Sequence, residues 1–380
     1  MAFCRGCRPT FGSVRGRRLL DEPIARLVER PLLDRCRELS ALRRDQSVCN
    51  GERSWMGTPD CAPRKPRAGP MNLAQVSAAA LLLMVVNGLS GCATPSRGEY
   101  SVRWNSETRT ETVEVQPGLT LRYLRVGQGQ PLVLLHTVRT QLDYFEKLVP
   151  LLRDHYTVYV VDLPGHGQST IARVDYTEKL FREAIAQFIQ KLDLRDVVLA
   201  GESIGGVLAL TVATEVPDRI TRVVSINPYD YGESFGGGIR RSSGGWIIGF
   251  FSIFGSYTIE PRFLLDTVLE GGLHDPAKLP AELAREFYRT GLREDYRWVE
   301  YSVFKNWRTW VDARELYPKI KAPVTLVYSH YDWSTPAEWF RNQKAIPGAE
   351  LVQITDAGHF ASLEKSSEVA DLILARRDRD

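Results

Sequence analysis

Val197-Val198-Leu199-Ala200-Gly201-Glu202-Ser203-Ile204-Gly205-Gly206-Val207-Leu208-Ala209-Leu210 is the stretch on which the reading of this chain turns. Its first four residues are apolar and strand-like. The residues after Gly205 read as a helix. Between them stands G-x-S-x-G, the pattern of a nucleophile elbow, in which a serine is pushed out of a sharp strand-to-helix turn. The turn leaves no room for side chains beside the serine, so glycines occupy Gly201 and Gly205. A serine hydroxyl is a weak nucleophile and needs a base. Downstream the chain supplies an acid, Asp332, and then a histidine, His359. Ser203, Asp332 and His359 follow the order in which such a triad is strung on this kind of turn.

Outward from the elbow, apolar runs with strand character fall at Glu111–Val115, Thr120–Val126, Leu132–His136, Thr157–Asp162, Val197–Ala200, Thr221–Asn227, Val324–Ser329 and Glu350–Thr355. Helical spacing lies between most of them, as in Leu142-x-x-Phe145-x-x-Leu148-Val149-x-x-Leu152 and from Leu180 to Leu192. The first two strands form a hairpin-like pair across Gln116-Pro117-Gly118. Thereafter strands and helices alternate, which implies an α/β protein with a mostly parallel eight-stranded sheet and helices on both faces. From Asn227 to about Pro318 the alternation stops. That stretch is rich in aromatics (the run Trp246–Phe254, then Phe287, Tyr296, Trp298, Trp307 and Trp310) and cannot enter the sheet. It reads as a helical cap over the strand C-termini, inserted after the sixth strand, with aromatic walls suited to an apolar or aromatic acyl group.

Four stretches then carry a family likeness: Pro131–His136, Asp162-Leu-Pro-Gly-His166-Gly-Gln-Ser169, the elbow, and the pair Asp332-Trp-Ser-Thr-Pro336 and Gly358-His359-Phe360. From about residue 111 to the end the chain resembles the α/β-hydrolase family. The resemblance implies a core in two parts, 110–227 and 319–380, around a cap at 228–318. It implies a Ser203–His359–Asp332 triad working through an acyl-enzyme on an ester-like small molecule, with no cofactor and no metal. The backbone N–H of Ile204, following the nucleophile, is one expected oxyanion donor. Val138 or Thr137 is expected to supply the second. Thr137 stands where the family carries a glycine, and Ser329 where a glycine often precedes the acid. Arg139, in the same loop, is a candidate contact for a substrate carboxylate. Asp162, His166 and His136 read as turn-formers and buried loop anchors. Asp230 is a second position for the acid, with poorer flanks than Asp332. Ser203 argues against dehalogenase and epoxide hydrolase chemistry, which need an aspartate nucleophile. Amide, lactone or carbon–carbon bond cleavage, or a non-catalytic binding protein on this scaffold, are the competing readings.

The N-terminus is different material. Residues 1–70 carry 15 Lys+Arg against 8 Asp+Glu, leaving 34 against 38 in the remainder, so the globular part is mildly acidic and offers no electrostatic case for nucleic acid. All six cysteines lie at or before Cys92. Cys4-x-x-Cys7 has no second Cys or His pair at metal-ligand spacing. After Met71 comes an apolar run, Val76–Val86, shorter than the roughly 20 residues a bilayer span needs. It ends in Leu89-Ser90-Gly91-Cys92, which resembles the lipobox of bacterial lipoproteins. That implies a signal peptide at 71–91, lipidation of Cys92, a polar tether at 92–109, and a membrane-anchored protein of the bacterial envelope, by analogy at the outer membrane. Residues 1–70 then read as a disordered, over-extended start, with Met56 or Met71 as the true one.

Overall fold

The computed structural model describes Tyr100, residues 109–231 and residues 260–375. The leader, Cys92, the tether before residue 109 apart from Tyr100, and the Trp246–Phe254 run lie outside the described residues. Eight strands form one sheet: β1 (Thr110–Gln116), β2 (Leu119–Gly127), β3 (Gln130–Leu135), β4 (Tyr156–Val161), β5 (Val197–Glu202), β6 (Ile220–Ile226), β7 (Val324–Ser329) and β8 (Glu350–Ile354). Their order across the sheet is β1-β2-β4-β3-β5-β6-β7-β8. The β1–β2 and β2–β4 pairs are antiparallel; every other pair is parallel. All eight expected strands are present, with ends displaced by a residue or two.

The sheet is buried on both faces, and the sequence alternates accordingly. Val133, Leu135, Val197 and Leu199 enter one core, with Phe181, Leu208 and Trp310. Leu132, Leu134, Val198 and Ala200 enter the other, with Leu142, Tyr144 and Phe360. Such strands read as unbroken apolar runs because neither face meets water. Helix α1 (Glu178–Lys191) starts at an N-cap, Thr177, whose side chain accepts from the Leu180 N–H at 3.3 Å. Helix α2 (Ile204–Glu215) is buried from Ile204 to Ala213. Its lack of an amphipathic period is the signature of a helix packed all round.

The single helix expected from Leu142 to Leu152 is not formed. A 3-10 turn at Leu142–Phe145 and one α-turn at Val149–Leu152 replace it. Pro150 is the reason: it has no N–H to donate four residues back, and its ring collides with the preceding turn, so a helix can begin beside it but not run through it.

Between β6 and β7 the insertion carries α3 (Arg262–Gly271), α4 (Ala281–Gly291), α5 (Tyr296–Lys305) and α6 (Trp307–Asp312) among its described residues. Helices α5 and α6 lie along the start of α1. Ser302 Oγ accepts from the Tyr176 N–H at 2.8 Å, and Thr309 Oγ1 from the Glu178 N–H at 3.0 Å. Trp310 packs against Phe181 with ring centres 5.4 Å apart. Trp310 is thus part of the core rather than a wall of a substrate site. Helices α7 (Pro336–Ala345) and α8 (Ser366–Leu374) complete the fold.

Candidate active site

The elbow is tight for identifiable reasons. A Cβ at Gly201 would lie 2.2 Å from the Gly205 carbonyl oxygen, and one at Gly205 would lie 2.1 Å from the Leu135 carbonyl oxygen. Neither position tolerates a side chain. Ser203 itself sits at φ 61, ψ −120, a conformation that L-residues rarely adopt. It is held there by its N–H donating to the Ile226 carbonyl at 3.0 Å, while its own carbonyl accepts from Tyr229 and Val207. The strain turns Oγ away from the strand and out over the C-terminal edge of the sheet.

There Ser203 Oγ meets His359 Nε2 at 2.9 Å, and His359 Nδ1 meets Asp332 Oδ1 at 2.6 Å. All three residues are buried. Asp332 follows β7 and His359 follows β8, so each sits on a loop at the same sheet edge as the elbow. Asn227, just past β6, staples those loops together. Its amide donates to the His359 carbonyl and to Ser329 Oγ, both at 3.0 Å, and its oxygen accepts from the Ser329 N–H at 2.8 Å. The other oxygen of Asp332 accepts from the Ser334 N–H at 3.0 Å and from the Ser334 hydroxyl. The imidazole is stacked on the Trp333 ring, 4.1 Å between centres and 12° between planes, with Phe360 edge-on. Asp230, the other candidate acid, is committed elsewhere: it accepts from Tyr317 Oη at 2.5 Å and from Asn342 Nδ2 at 2.9 Å.

Ile204 opens α2, and Val138 lies in the loop after β3. Among the described residues neither backbone N–H has an acceptor. Thr137 is buried, and its carbonyl fixes the loop by accepting from Thr140 Oγ1 and from His136 Nδ1, both at 2.8 Å. His136 Nε2 accepts from the Leu163 N–H at 3.0 Å. Burial pushes His136 down to about 4, so the ring is neutral and acts as a brace. Asp162 accepts from Leu142 N–H, Gln168 N–H and Arg122 Nε. Burial opposes its ionisation, but the Arg122 guanidinium outweighs this and holds the carboxyl below its ordinary range.

Arg139 is not a free cation facing substrate. Its Nε donates to Glu260 Oε2 at 2.8 Å and its Nη1 to the Phe287 carbonyl at 2.8 Å, and Nη2 also reaches Glu260. A substrate carboxylate would have to displace Glu260. The loop sequence cannot reveal that partner, which lies 121 residues away.

Glu202, the variable residue of the elbow, carries no local mark of a role in the sequence. It is buried behind the site, accepts from Tyr144 Oη at 2.8 Å, and accepts from the Ser362 N–H at 3.2 Å. Burial pushes its carboxyl up to about 7, against the pull of the hydrogen bonds from Ser362 and Tyr144. Between its ordinary value of 4.5 and 7 the folded state keeps a proton that the unfolded state has released. Stability contributed by this site therefore falls as pH rises through that window, by roughly 3 kcal/mol once the group is ionised. Glu202→Gln should lift that penalty. Denaturant titrations should find it stabilised relative to the parent at pH 8 and much less so at pH 4.5; an equal effect at both pH values would exclude a buried neutral carboxyl.

The profile of the α/β hydrolase fold matches residues 130–366. The dihydrolipoyllysine-residue acetyltransferase component of the acetoin cleaving system of Cupriavidus necator is 27% identical over 67% of this chain, a match spanning 66% of that protein. The (E)-2-((N-methylformamido)methylene)succinate hydrolase of Acinetobacter baylyi is 33% identical over 31% of this chain, which spans 45% of that protein. In three dimensions a meta-cleavage product hydrolase from Pseudomonas fluorescens superposes with a TM-score of 0.60 at 19% identity, covering 71% of this chain and 97% of that one. The profile extends from β3 to the start of α8 and takes in the elbow, the acid loop and the histidine loop, so the chain belongs to the α/β-hydrolase fold family of enzymes.

Proposed function

We propose that this chain is a serine hydrolase that opens a bond at a carbonyl carbon (ester, amide or carbon–carbon) through an acyl-enzyme. The observation that carries this reading is the continuous relay from Ser203 Oγ through His359 to Asp332, at 2.9 and 2.6 Å. His359 Nε2 takes the hydroxyl proton as Ser203 Oγ bonds to the carbonyl carbon, and the carbonyl π pair moves to oxygen. The Ile204 and Val138 N–H groups are the donors assigned to that oxyanion. The oxyanion then collapses, the bond to the leaving group breaks, and His359 returns the proton to the leaving atom. Water repeats the sequence on the acyl-serine and frees an acid. The strained, base-paired serine disfavours a purely binding role, since a scaffold without chemistry has no use for that geometry.

A carbon–nitrogen or carbon–carbon bond is favoured over a simple alkyl ester. The support is the pair of proteins named for a formamido-methylene succinate and for a meta-cleavage product, the first similar in sequence and the second in fold. A panel of aryl ester, alkyl ester, lactone, enamide and vinylogous diketone decides it. The highest kcat/KM is expected on one of the last two, and a maximum on alkyl esters would reverse the preference. We also propose lipid anchoring at Cys92, which rests on Leu89-Ser90-Gly91-Cys92 after its apolar run. Cys92→Ala should shift the protein from the membrane to the soluble fraction; unchanged processing and fractionation would remove the proposal.

A further inference from the structure

The helical insertion grips the loop after β3 at several points. Arg139 reaches out of that loop into a pocket formed by α4, α5 and Glu260. Besides its bonds to Glu260 and the Phe287 carbonyl, it lies 3.6 Å from Glu300. Arg297 joins the same group, 3.1 Å from Glu260 and 2.8 Å from Glu300. The Tyr296 ring faces both cations, at 5.1 Å from Arg139 and 5.6 Å from Arg297. Gly291 at the end of α4 makes the space: a Cβ there would lie 2.1 Å from the guanidinium. Two residues along the loop, Gln141 donates to Glu286 at 3.2 Å and accepts from Thr290 Oγ1 at 2.5 Å, again on α4.

Arg139 and Glu300 are buried while Glu260 and Arg297 are half-buried, so withdrawing Glu260 would leave the Arg139 guanidinium poorly paired in a low-dielectric interior. The backbone of Arg139 is committed as well, at φ 66, in the left-handed region that a non-glycine residue holds only when its surroundings impose it. Directly before it stands Val138, whose N–H is unpaired among the described residues. The Val138 N–H shares a planar peptide group with the Thr137 carbonyl, which accepts from the Thr140 hydroxyl at 2.8 Å and from the Thr140 N–H at 3.4 Å; the left-handed turn at Arg139, fixed at its side-chain end, is what brings Thr140 back onto that carbonyl. The insertion is therefore in a position to determine where the Val138 N–H points.

We infer that Arg139 is a positioning residue for the oxyanion hole: the Arg139–Glu260–Glu300–Arg297 cluster locks the Val138 N–H toward the oxygen of the carbonyl whose carbon Ser203 attacks. The inference rests on the acyl-enzyme reading above. Its consequence is that the insertion contributes to transition-state stabilisation and not only to substrate shape.

Arg139→Lys, Glu260→Gln and Gly291→Ala in the full chain test it. Arg139→Lys keeps the charge but loses the fork. Gly291→Ala leaves every charge in place and crowds the guanidinium, so it decides the matter if Arg139→Lys does not fold. The readouts are kcat and KM on p-nitrophenyl acetate, and inhibition by phenylboronic acid, whose tetrahedral adduct on Ser203 places an oxygen in the hole. Loss of a well-aimed oxyanion donor costs about 10²–10³ in rate. The variants should lose about 10- to 100-fold in kcat with KM little changed, and boronate affinity should weaken in parallel. Folded variants with unchanged kcat and boronate affinity, or a loss confined to KM, would overturn the inference. Fluorophosphonate labelling of the parent separates the two levels: a parent that labels at Ser203 beside unaffected variants removes only this inference, whereas a parent that does not label removes the acyl-enzyme reading itself.

Discussion

Ser203→Ala should lower turnover on any accepted substrate by a factor on the order of 10⁶ and abolish fluorophosphonate labelling, with the folded state intact. The loss is large because Oγ is the atom that forms the covalent bond, and removing it leaves His359 and the oxyanion donors with no nucleophile to assist. The fold should survive because the elbow is built by the backbone and by glycines, not by the hydroxyl. The strained φ of Ser203 is held by hydrogen bonds of its own N–H and C=O to Ile226, Tyr229 and Val207. Alanine keeps the Cβ and pays no additional steric cost at that φ. The hydroxyl hydrogen bonds only to His359 among the described residues. A cooperative thermal transition within about 2 °C of the parent is the expected companion result, a change of no more than about 1 kcal/mol in a domain of this size. Full activity in Ser203→Ala would mean that another group attacks, and the relay at 2.9 Å would be incidental.

What the sequence made legible follows physical range. Strand positions were readable because burial on both faces writes apolar runs into the chain, as in Leu132–Leu135 and Val197–Ala200. The elbow was readable because its steric limits act within five residues, between Gly201, Ser203 and Gly205. Asp332 and His359 were found by their order and flanks. What the sequence leaves illegible is of two kinds. At Pro150 the local rule and the apolar period of Leu142–Leu152 point in opposite directions, and the proline prevails. At Arg139 and Glu202 no local rule exists. Their partners, Glu260 and Phe287 for one, Tyr144 and Ser362 for the other, stand 58 to 160 residues away and meet only when the insertion and the histidine loop close over the sheet edge. Burial of an ionisable group is a tertiary property, and an arginine in a loop or a glutamate at a strand end carries no local mark of it.

Asp332→Asn should cost a factor on the order of 10⁴ in kcat while leaving the fold and substrate affinity largely unchanged. The direction of the effect can be derived from the partners of the carboxylate. One oxygen faces His359 Nδ1; the other faces two donors, the Ser334 N–H and the Ser334 hydroxyl. That hydroxyl donates to Asp332, because a carboxylate oxygen accepts, and it accepts in turn from Trp339 Nε1 at 2.6 Å. An asparagine here has one acceptor and one donor end. The Ser334 N–H can only donate, so it claims the acceptor, and the NH₂ is turned toward His359 Nδ1. That nitrogen must then be the unprotonated one, and the proton moves to Nε2, where it meets Ser203 Oγ. The imidazole becomes a donor at the position where a base is required. Trp333 stacking keeps the ring from flipping out of this arrangement. Asp230 offers no rescue, since Tyr317 and Asn342 already occupy its carboxylate. Steady-state kinetics give the magnitude, and ¹⁵N shifts of the His359 ring report the tautomer directly. A variant within tenfold of the parent, or one whose ring nitrogen shifts keep the proton on Nδ1, would show that Asp332 does not set the protonation of His359.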